Sequence, residues 1–164
     1  AERVKCDIDF PIGLTDGKQI TIGDFTFTGV PAKHNEIERD EQGNCKFMGY
    51  VIQFGRWTVY HSGDTLWFDG MADLLKPYYV DLALLPINGN DPVRGVAGNL
   101  DCCEAAQLAK EMSAACVIPC HYDMFTFNTA DINDFVKACE SIDQPYKVLR
   151  GGESFYSVTD FNKA

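Results

Sequence analysis

The stretch VDLALLPI, from Val80 to Ile87, decides the fold class. Apart from Asp81 it is a continuous apolar run, which is typical of a strand that is buried on both faces of a parallel sheet. A second run of this kind, ACVIPC (115–120), follows a segment whose apolar residues recur at helical spacing. Buried strands that alternate with helices predict an α/β layered domain.

Two antiparallel pairs of strands are predicted before this run. KQITIGDFTFTGV (18–30) alternates on both sides of Gly23-Asp24, which is a hairpin signal. KFMGYVIQF (46–54) and WTVYH (57–61) predict a second pair that is joined through Gly55-Arg56. A charged, glycine-containing loop is expected between the two pairs.

Three helices are predicted in the second half of the chain. The first is a short helix in MADLLKPYY (71–79) that ends near Pro77, and the last covers DINDFVKACESI (131–142). The middle helix begins after Asp101, which together with Glu104 three residues later resembles a capping box. YKVLRGGESFYSV (146–158) predicts closing strands on both sides of its double glycine.

Composition limits the partners and the compartment. The formal net charge of −10 comes without a run of Lys or Arg, which argues against nucleic acid and anionic membranes as partners. No apolar stretch approaches the roughly 20 residues of a membrane helix. The seven cysteines show no disulfide spacing, and Cys102, Cys103 and Cys116 lie in apolar runs, so a reducing cytoplasmic location is predicted.

Three potential metal ligands follow predicted strands. His34 comes after FTFTGV, Asp64 after WTVYH and His121 after ACVIPC. Imidazole nitrogen and carboxylate oxygen together suit Zn²⁺, Mn²⁺ or Fe²⁺. Each residue also has a structural interpretation: His34 as a surface residue, Asp64 as the N-cap of the next turn, and His121 as a hydrogen-bonded strand-end histidine.

A family resemblance rests on three motifs in this order: HSGDT (61–65), VDLALLPIN (80–88) and VIPCHYDMF (117–125). With AKH upstream, they resemble the C-terminal half of a metallo-β-lactamase-fold hydrolase, in the branch that contains L-ascorbate-6-phosphate lactonase. The resemblance extends from about Val4 to Phe155. It implies a four-layer αββα sandwich, of which residues 1–164 would form the C-terminal half.

The resemblance also implies a site and a reaction. His34 would bind one divalent metal ion, Asp64 would bridge two ions and His121 would bind the second. The ions would be Mn²⁺ or Zn²⁺, with Fe²⁺ as a further option. Asp64 and His121 would serve catalysis, in which a metal-activated water attacks a lactone, ester or phosphoester, including a phosphorylated sugar derivative.

One departure from the family pattern limits this interpretation. The family's first metal motif, H-x-H-x-D-H, has no match in a chain with only three histidines. The hydrolase is therefore expected to act on its small-molecule substrate only with a missing N-terminal half as partner, and as a homo-oligomer when complete. The alternative is a non-catalytic structural or interaction subunit with an incomplete metal site.

Three further residues are candidates for supporting roles. His61 is interpreted as a residue that orients a ligand or the substrate, with a buried structural histidine as the alternative. Arg94 would hold a substrate phosphate, or lie on the surface. Asn88 is expected in a turn that borders the metal site.

Overall fold

The structure, a computed structural model, describes residues 12–93, 95 and 98–156. The strands of these residues form one six-stranded sheet in chain order. They are β1 (Gln19–Ile22), β2 (Phe25–Pro31), β3 (Met48–Phe54), β4 (Trp57–His61), β5 (Leu82–Pro86) and β6 (Cys116–Cys120). The helices are α1 (Met71–Leu75), which continues into a 3₁₀ turn (Lys76–Tyr78), α2 (Cys102–Glu111) and α3 (Ile132–Ser141).

The direction of the strands places several loops at one edge of the sheet. Strands β1 to β4 pair antiparallel, whereas β4, β5 and β6 pair parallel. Two reversals of direction bring β2 back parallel to β4, so β2, β4, β5 and β6 all end on the same side. We call this side the carboxyl edge. Ligand sites of α/β sheets tend to lie at such an edge.

Both predicted hairpins are confirmed, and burial on both faces is confirmed for β6 but only on one face for β5, in which Leu82 and Leu84 are partly exposed. Gly23 and Gly55 occupy the two hairpin turns with φ of 59° and 54°, a backbone region that glycine adopts without strain. In β5, Ala83 and Leu85 have no exposed surface, because helices cover that face of the sheet. The mixed sheet with few helices agrees with the predicted α/β class.

The prediction of closing strands over 146–158 is wrong for the described part of that segment. Val117 donates its N–H to the Pro145 carbonyl at 3.0 Å and accepts the Lys147 N–H at 2.9 Å, which makes a single parallel bridge. The next donor of this ladder on β6 would be Pro119, which has no N–H. The pairing therefore stops after one residue. Residues 157 and 158 lie outside the described residues.

The start of α2 is fixed beside the carboxyl edge by the predicted capping box. The Glu104 N–H donates to the Asp101 carboxylate at 2.8 Å, and the Asp101 N–H donates to the Glu104 carboxylate at 3.0 Å. A cap of this kind stabilises a helix by about 1 kcal/mol. Behind it, Leu108 and Met112 are fully buried against the sheet, as the helical spacing predicted.

The cysteines of the described residues are free thiols. Cys102 and Cys116 are buried, and burial is the largest cause that raises the pKa of each thiol to about 11. They are small apolar side chains of the core, as predicted. Cys103 is exposed, which contradicts the prediction, because it lies on the outer side of α2.

Among the described residues, no helix is both long enough and apolar enough to cross a membrane.

The loop that carries His34, between β2 and β3, is anchored by Asp16. Its carboxylate accepts two hydrogen bonds from the Arg39 guanidinium, at 3.1 and 3.3 Å, and one from the Cys45 N–H at 3.1 Å. Burial of the carboxyl group works against its charged form, but these hydrogen bonds outweigh it and hold the pKa of Asp16 well below its usual range. The ionised carboxylate is therefore the form that stabilises the fold.

We expect Asp16→Asn to lower the free energy of unfolding at pH 7 by about 1 to 2 kcal/mol, because charge-assisted hydrogen bonds are lost. Since the folded-state pKa is depressed, the contribution is complete above the unfolded value of about 4 and disappears as the pH falls toward the folded value. Urea unfolding at several pH values measures this. Asp73→Asn, which removes an exposed ion pair with Lys76, is the control and should change little. An equal loss at all pH values would contradict the account.

Candidate metal centre

The HSGDT motif leaves β4 as a tight loop that directs Asp64 outward. Ser62 is buried, and its hydroxyl donates to the Gly63 carbonyl at 2.7 Å. Gly63 has a φ of 63°, and a Cβ at this position would lie 2.9 Å from the Met48 carbonyl oxygen. Glycine is therefore required at this position, because the loop passes close to the backbone at the start of β3. The Asp64 side chain beyond it is 48% exposed at the carboxyl edge.

The Asp64 carboxylate faces the imidazole of His121. Its Oδ2 atom lies 3.9 Å from His121 Nε2, which is too long for a hydrogen bond. Two ligand atoms that each lie about 2.0–2.2 Å from one metal ion are about 3–4 Å apart, depending on the angle between the bonds. The observed separation lies at the long end of this range, so the two atoms can share one ion at an angle wider than tetrahedral or after a shift of a few tenths of an ångström.

Two further properties of His121 fit a binding role. Its φ is 61°, a left-handed conformation that costs a residue with a side chain about 1–2 kcal/mol. Its Nδ1 atom is buried without a hydrogen-bond partner among the described residues. Strain and an unpartnered polar atom are both unfavourable for folding, and such features concentrate at functional sites. The alternative of a fully hydrogen-bonded strand-end histidine is wrong for this part of the chain.

His34 lies on the segment next to Asp64. The Lys33 N–H donates to the Thr65 hydroxyl at 2.9 Å, and the Leu66 N–H donates to the Lys33 carbonyl at 2.8 Å. His34 Nδ1 lies 3.4 Å from the Gly98 carbonyl oxygen. Because a carbonyl only accepts, this contact selects the Nδ1–H tautomer and leaves Nε2 available for a metal. A carbonyl orients many metal-binding histidines in this way.

The described residues do not, however, bring three ligands together. Within residues 12–93, 95 and 98–156, no group of three or more His, Cys, Asp or Glu side chains is arranged to hold a metal ion. Asp64 and His121 form a pair, and His34 stays outside it. The full set of three ligands therefore remains a prediction.

The other candidates differ in their surroundings. His61 is exposed, and its Nδ1 accepts the Gly63 N–H at 3.0 Å, so it braces the loop before Asp64. Asn88 is buried, and its amide donates to the Asn128 side chain at 2.6 Å, which ties the loops after β5 and β6 together. Arg94 lies outside the described residues. Asp64 is not a helix N-cap, since Gly70 precedes α1.

Sequence reasoning missed Thr65 and Asn99. Thr65 has no exposed surface and Asn99 is 2% exposed. The Asn99 side-chain oxygen accepts the Thr65 N–H at 3.0 Å. Thr65 could have been found, because it is the last residue of the HSGDT motif. Nothing in the local sequence indicates a role for Asn99.

A family model shows which class of protein this chain represents. Residues 9–122 match the β-lactamase superfamily domain family, and the chain belongs to this family. Both Asp64 and His121 lie within the matched residues.

Among individual proteins, the chain is 34% identical over 158 residues to a UPF0173 metal-dependent hydrolase of Archaeoglobus fulgidus. That match covers 93% of this chain but only 64% of the relative's length. Among solved structures, Igni18, a metallo hydrolase of Ignicoccus hospitalis, has a TM-score of 0.69 at 28% identity, over 87% of this chain and 58% of that chain. The metallo-β-lactamase fold protein YhfI of Bacillus subtilis has a TM-score of 0.65 at 21% identity, over 87% and 54% respectively, and shows the fold alone.

Proposed function

We propose that this chain belongs to a metal-dependent hydrolase and that Asp64 and His121 hold a divalent metal ion at the carboxyl edge. The observation that carries the proposal is the pairing of Asp64 Oδ2 and His121 Nε2 at 3.9 Å, with His121 held in a left-handed conformation. The proposal is supported by relatives that are named metal-dependent hydrolases.

The chain's own residues would perform three tasks in this reaction. Asp64 presents a carboxylate that is open to solvent and can reach an ion as well as a substrate. His121 Nε2 provides a nitrogen ligand on the opposite side. The loop of Gly63 and Ser62 holds Asp64 in place through its own hydrogen bonds. The chemistry supplied by a bound divalent ion is activation of water and polarisation of the electrophile.

The complete enzyme, in this proposal, includes an N-terminal half with the H-x-H-x-D-H motif. This is supported by the relatives, of whose length the chain spans about two thirds. It is also supported by exposed apolar side chains on β1, β2 and β3: Ile22, Phe25 and Tyr50 are 52%, 44% and 37% exposed. A segment that packs on these strands would remove them from water.

The finer features belong to the same proposal. Two ions, Mn²⁺ or Zn²⁺, would occupy the complete site, and the substrate would be a lactone, ester or phosphoester of the kind that the lactonase-like branch suggests. The free thiols favour a cytoplasmic location. Assembly into a homo-oligomer remains a prediction.

A second candidate function is favoured by one specific observation. Because no three ligands gather in the part of the chain that the structure describes, the chain would also suit a non-catalytic subunit with an incomplete metal site. Metal dependence distinguishes the two functions.

We expect the purified complete protein, with the proposed N-terminal half present, to hydrolyse at least one of three generic substrates: a p-nitrophenyl ester, a simple lactone or bis-p-nitrophenyl phosphate. Treatment with EDTA should reduce the rate to the uncatalysed background, and Mn²⁺ or Zn²⁺ added after removal of the chelator should restore it. Mg²⁺ is the control ion, because it prefers oxygen ligands to imidazole. Hydrolysis that survives EDTA would refute metal dependence, and the absence of all hydrolysis after reconstitution would favour the non-catalytic subunit.

A further inference from the structure

We propose that Thr65 and Asn99 are positioning residues, which fix the spacing between the segment that carries His34 and the loop that carries Asp64. The inference rests on the proposed function and on the sequence prediction that His34 is a further ligand, because the spacing matters only if both His34 and Asp64 bind metal. It concerns residues that do not contact the ion themselves.

Thr65 connects the two ligand-bearing segments directly. Its hydroxyl accepts the Lys33 N–H at 2.9 Å and donates to the Leu66 carbonyl at 2.9 Å. Lys33 and Thr65 are the chain neighbours of His34 and Asp64. The two backbone segments are therefore joined one residue away from each proposed ligand, through a side chain with no exposed surface.

Asn99 fixes Thr65 from the other side. Its side-chain oxygen accepts the Thr65 N–H at 3.0 Å in a buried hydrogen bond. The preceding residue, Gly98, places its carbonyl against His34 Nδ1 at 3.4 Å. The dipeptide Gly98-Asn99 thus contacts both segments, one through its backbone and the other through its side chain.

These buried hydrogen bonds leave few alternative conformations for the two loops. A buried donor or acceptor that is left without its hydrogen-bond partner costs about 1–3 kcal/mol. Each loop is therefore held to the conformation that keeps these bonds. Groups that orient metal ligands typically change metal affinity by 10–100-fold when they are removed. We therefore expect the removal of the Thr65 hydroxyl to affect metal affinity without removing any ligand.

The test is a Co²⁺ titration of the protein that contains this chain, followed by the visible absorption band of the bound ion. Thr65→Val conserves the shape but removes the hydroxyl, and should lower Co²⁺ affinity by about 10–100-fold and shift the band. Thr65→Ser keeps the hydroxyl and should retain the wild-type affinity. Asn99→Ala should weaken affinity as Thr65→Val does, and it carries the test if Thr65→Val does not fold.

Thr28→Val is the matched control. Thr28 is also buried, and its hydroxyl accepts the Gln19 amide at 3.1 Å in the interior of β2. This variant should lower the free energy of unfolding but leave Co²⁺ affinity unchanged. An equal loss of affinity in both valine variants would show general destabilisation and overturn the positioning role.

Asp64→Ala separates failure of this inference from failure of the proposed function. If Asp64→Ala loses Co²⁺ while Thr65→Val and Asn99→Ala bind it as the wild type does, the metal site stands and the positioning role is wrong. If Asp64→Ala binds Co²⁺ normally, the proposed site itself is wrong, and the positioning role falls with it.

Discussion

Asp64→Asn loses more than about 100-fold in hydrolytic rate, a larger effect than removal of a group that only orients a ligand. The substitution keeps the size of the side chain but replaces a charged oxygen ligand by a neutral amide. Because the Asp64 side chain is 48% exposed, the free energy of unfolding should change by no more than about 0.5 kcal/mol. The loss therefore belongs to the site and not to folding. Steady-state hydrolysis and urea unfolding on the same preparation measure both quantities.

The control for this prediction is Asp24→Asn, in the turn between β1 and β2. It removes one carboxylate at the opposite end of β2 from the carboxyl edge, so it changes the net charge by the same amount. Hydrolysis by this variant should equal that of the wild type. If Asp64→Asn also retains full activity, Asp64 has no role in the reaction.

Gly98→Ala disrupts the position of His34. Gly98 has a φ of 83°, and a Cβ built there lies 2.0 Å from His34 Nδ1. A contact this short cannot persist, so the imidazole has to leave the Gly98 carbonyl that orients it. We expect metal affinity to fall by at least about tenfold. The free energy of unfolding should also fall, by more than the roughly 1–2 kcal/mol that the left-handed backbone alone costs an alanine.

Gly95→Ala in the same loop is the matched control. Gly95 has a φ of 67°, but no atom of the described residues lies within 4 Å of its added Cβ. It therefore carries the backbone cost without the contact with His34. Denaturant unfolding and the NMR signals of the His34 ring distinguish the two variants. Equal effects of both substitutions would mean that the contact between Gly98 and His34 has no consequence for the site.

Local patterns were sufficient to predict much of the fold. The hairpin at Gly23-Asp24, the continuous apolar run of β5 and the capping box at Asp101 all depend on residues that are close in sequence. The same patterns predict that His34, Asp64 and His121 each follow a strand. The structure confirms that each of them lies beyond the end of its strand.

What the sequence did not predict depends on contacts between distant residues. Thr65 is 32 residues from Lys33 and 34 residues from Asn99, so no periodicity or spacing marks these hydrogen bonds. The exposure of Cys103 depends on which side of α2 packs against the sheet, and a short apolar run does not specify this. The missing strand after Tyr146 was predictable in principle, because Pro119 removes the donor that a longer ladder needs.

The central claim is that Asp64 and His121 share a metal ion, and anomalous diffraction tests it most directly. Crystals of the protein that contains this chain would be soaked with Zn²⁺ and measured on both sides of the zinc absorption edge. The account predicts an anomalous peak about 2.0–2.2 Å from both Asp64 Oδ2 and His121 Nε2. A map without a peak between these two atoms, or with zinc bound only elsewhere in the molecule, would contradict it.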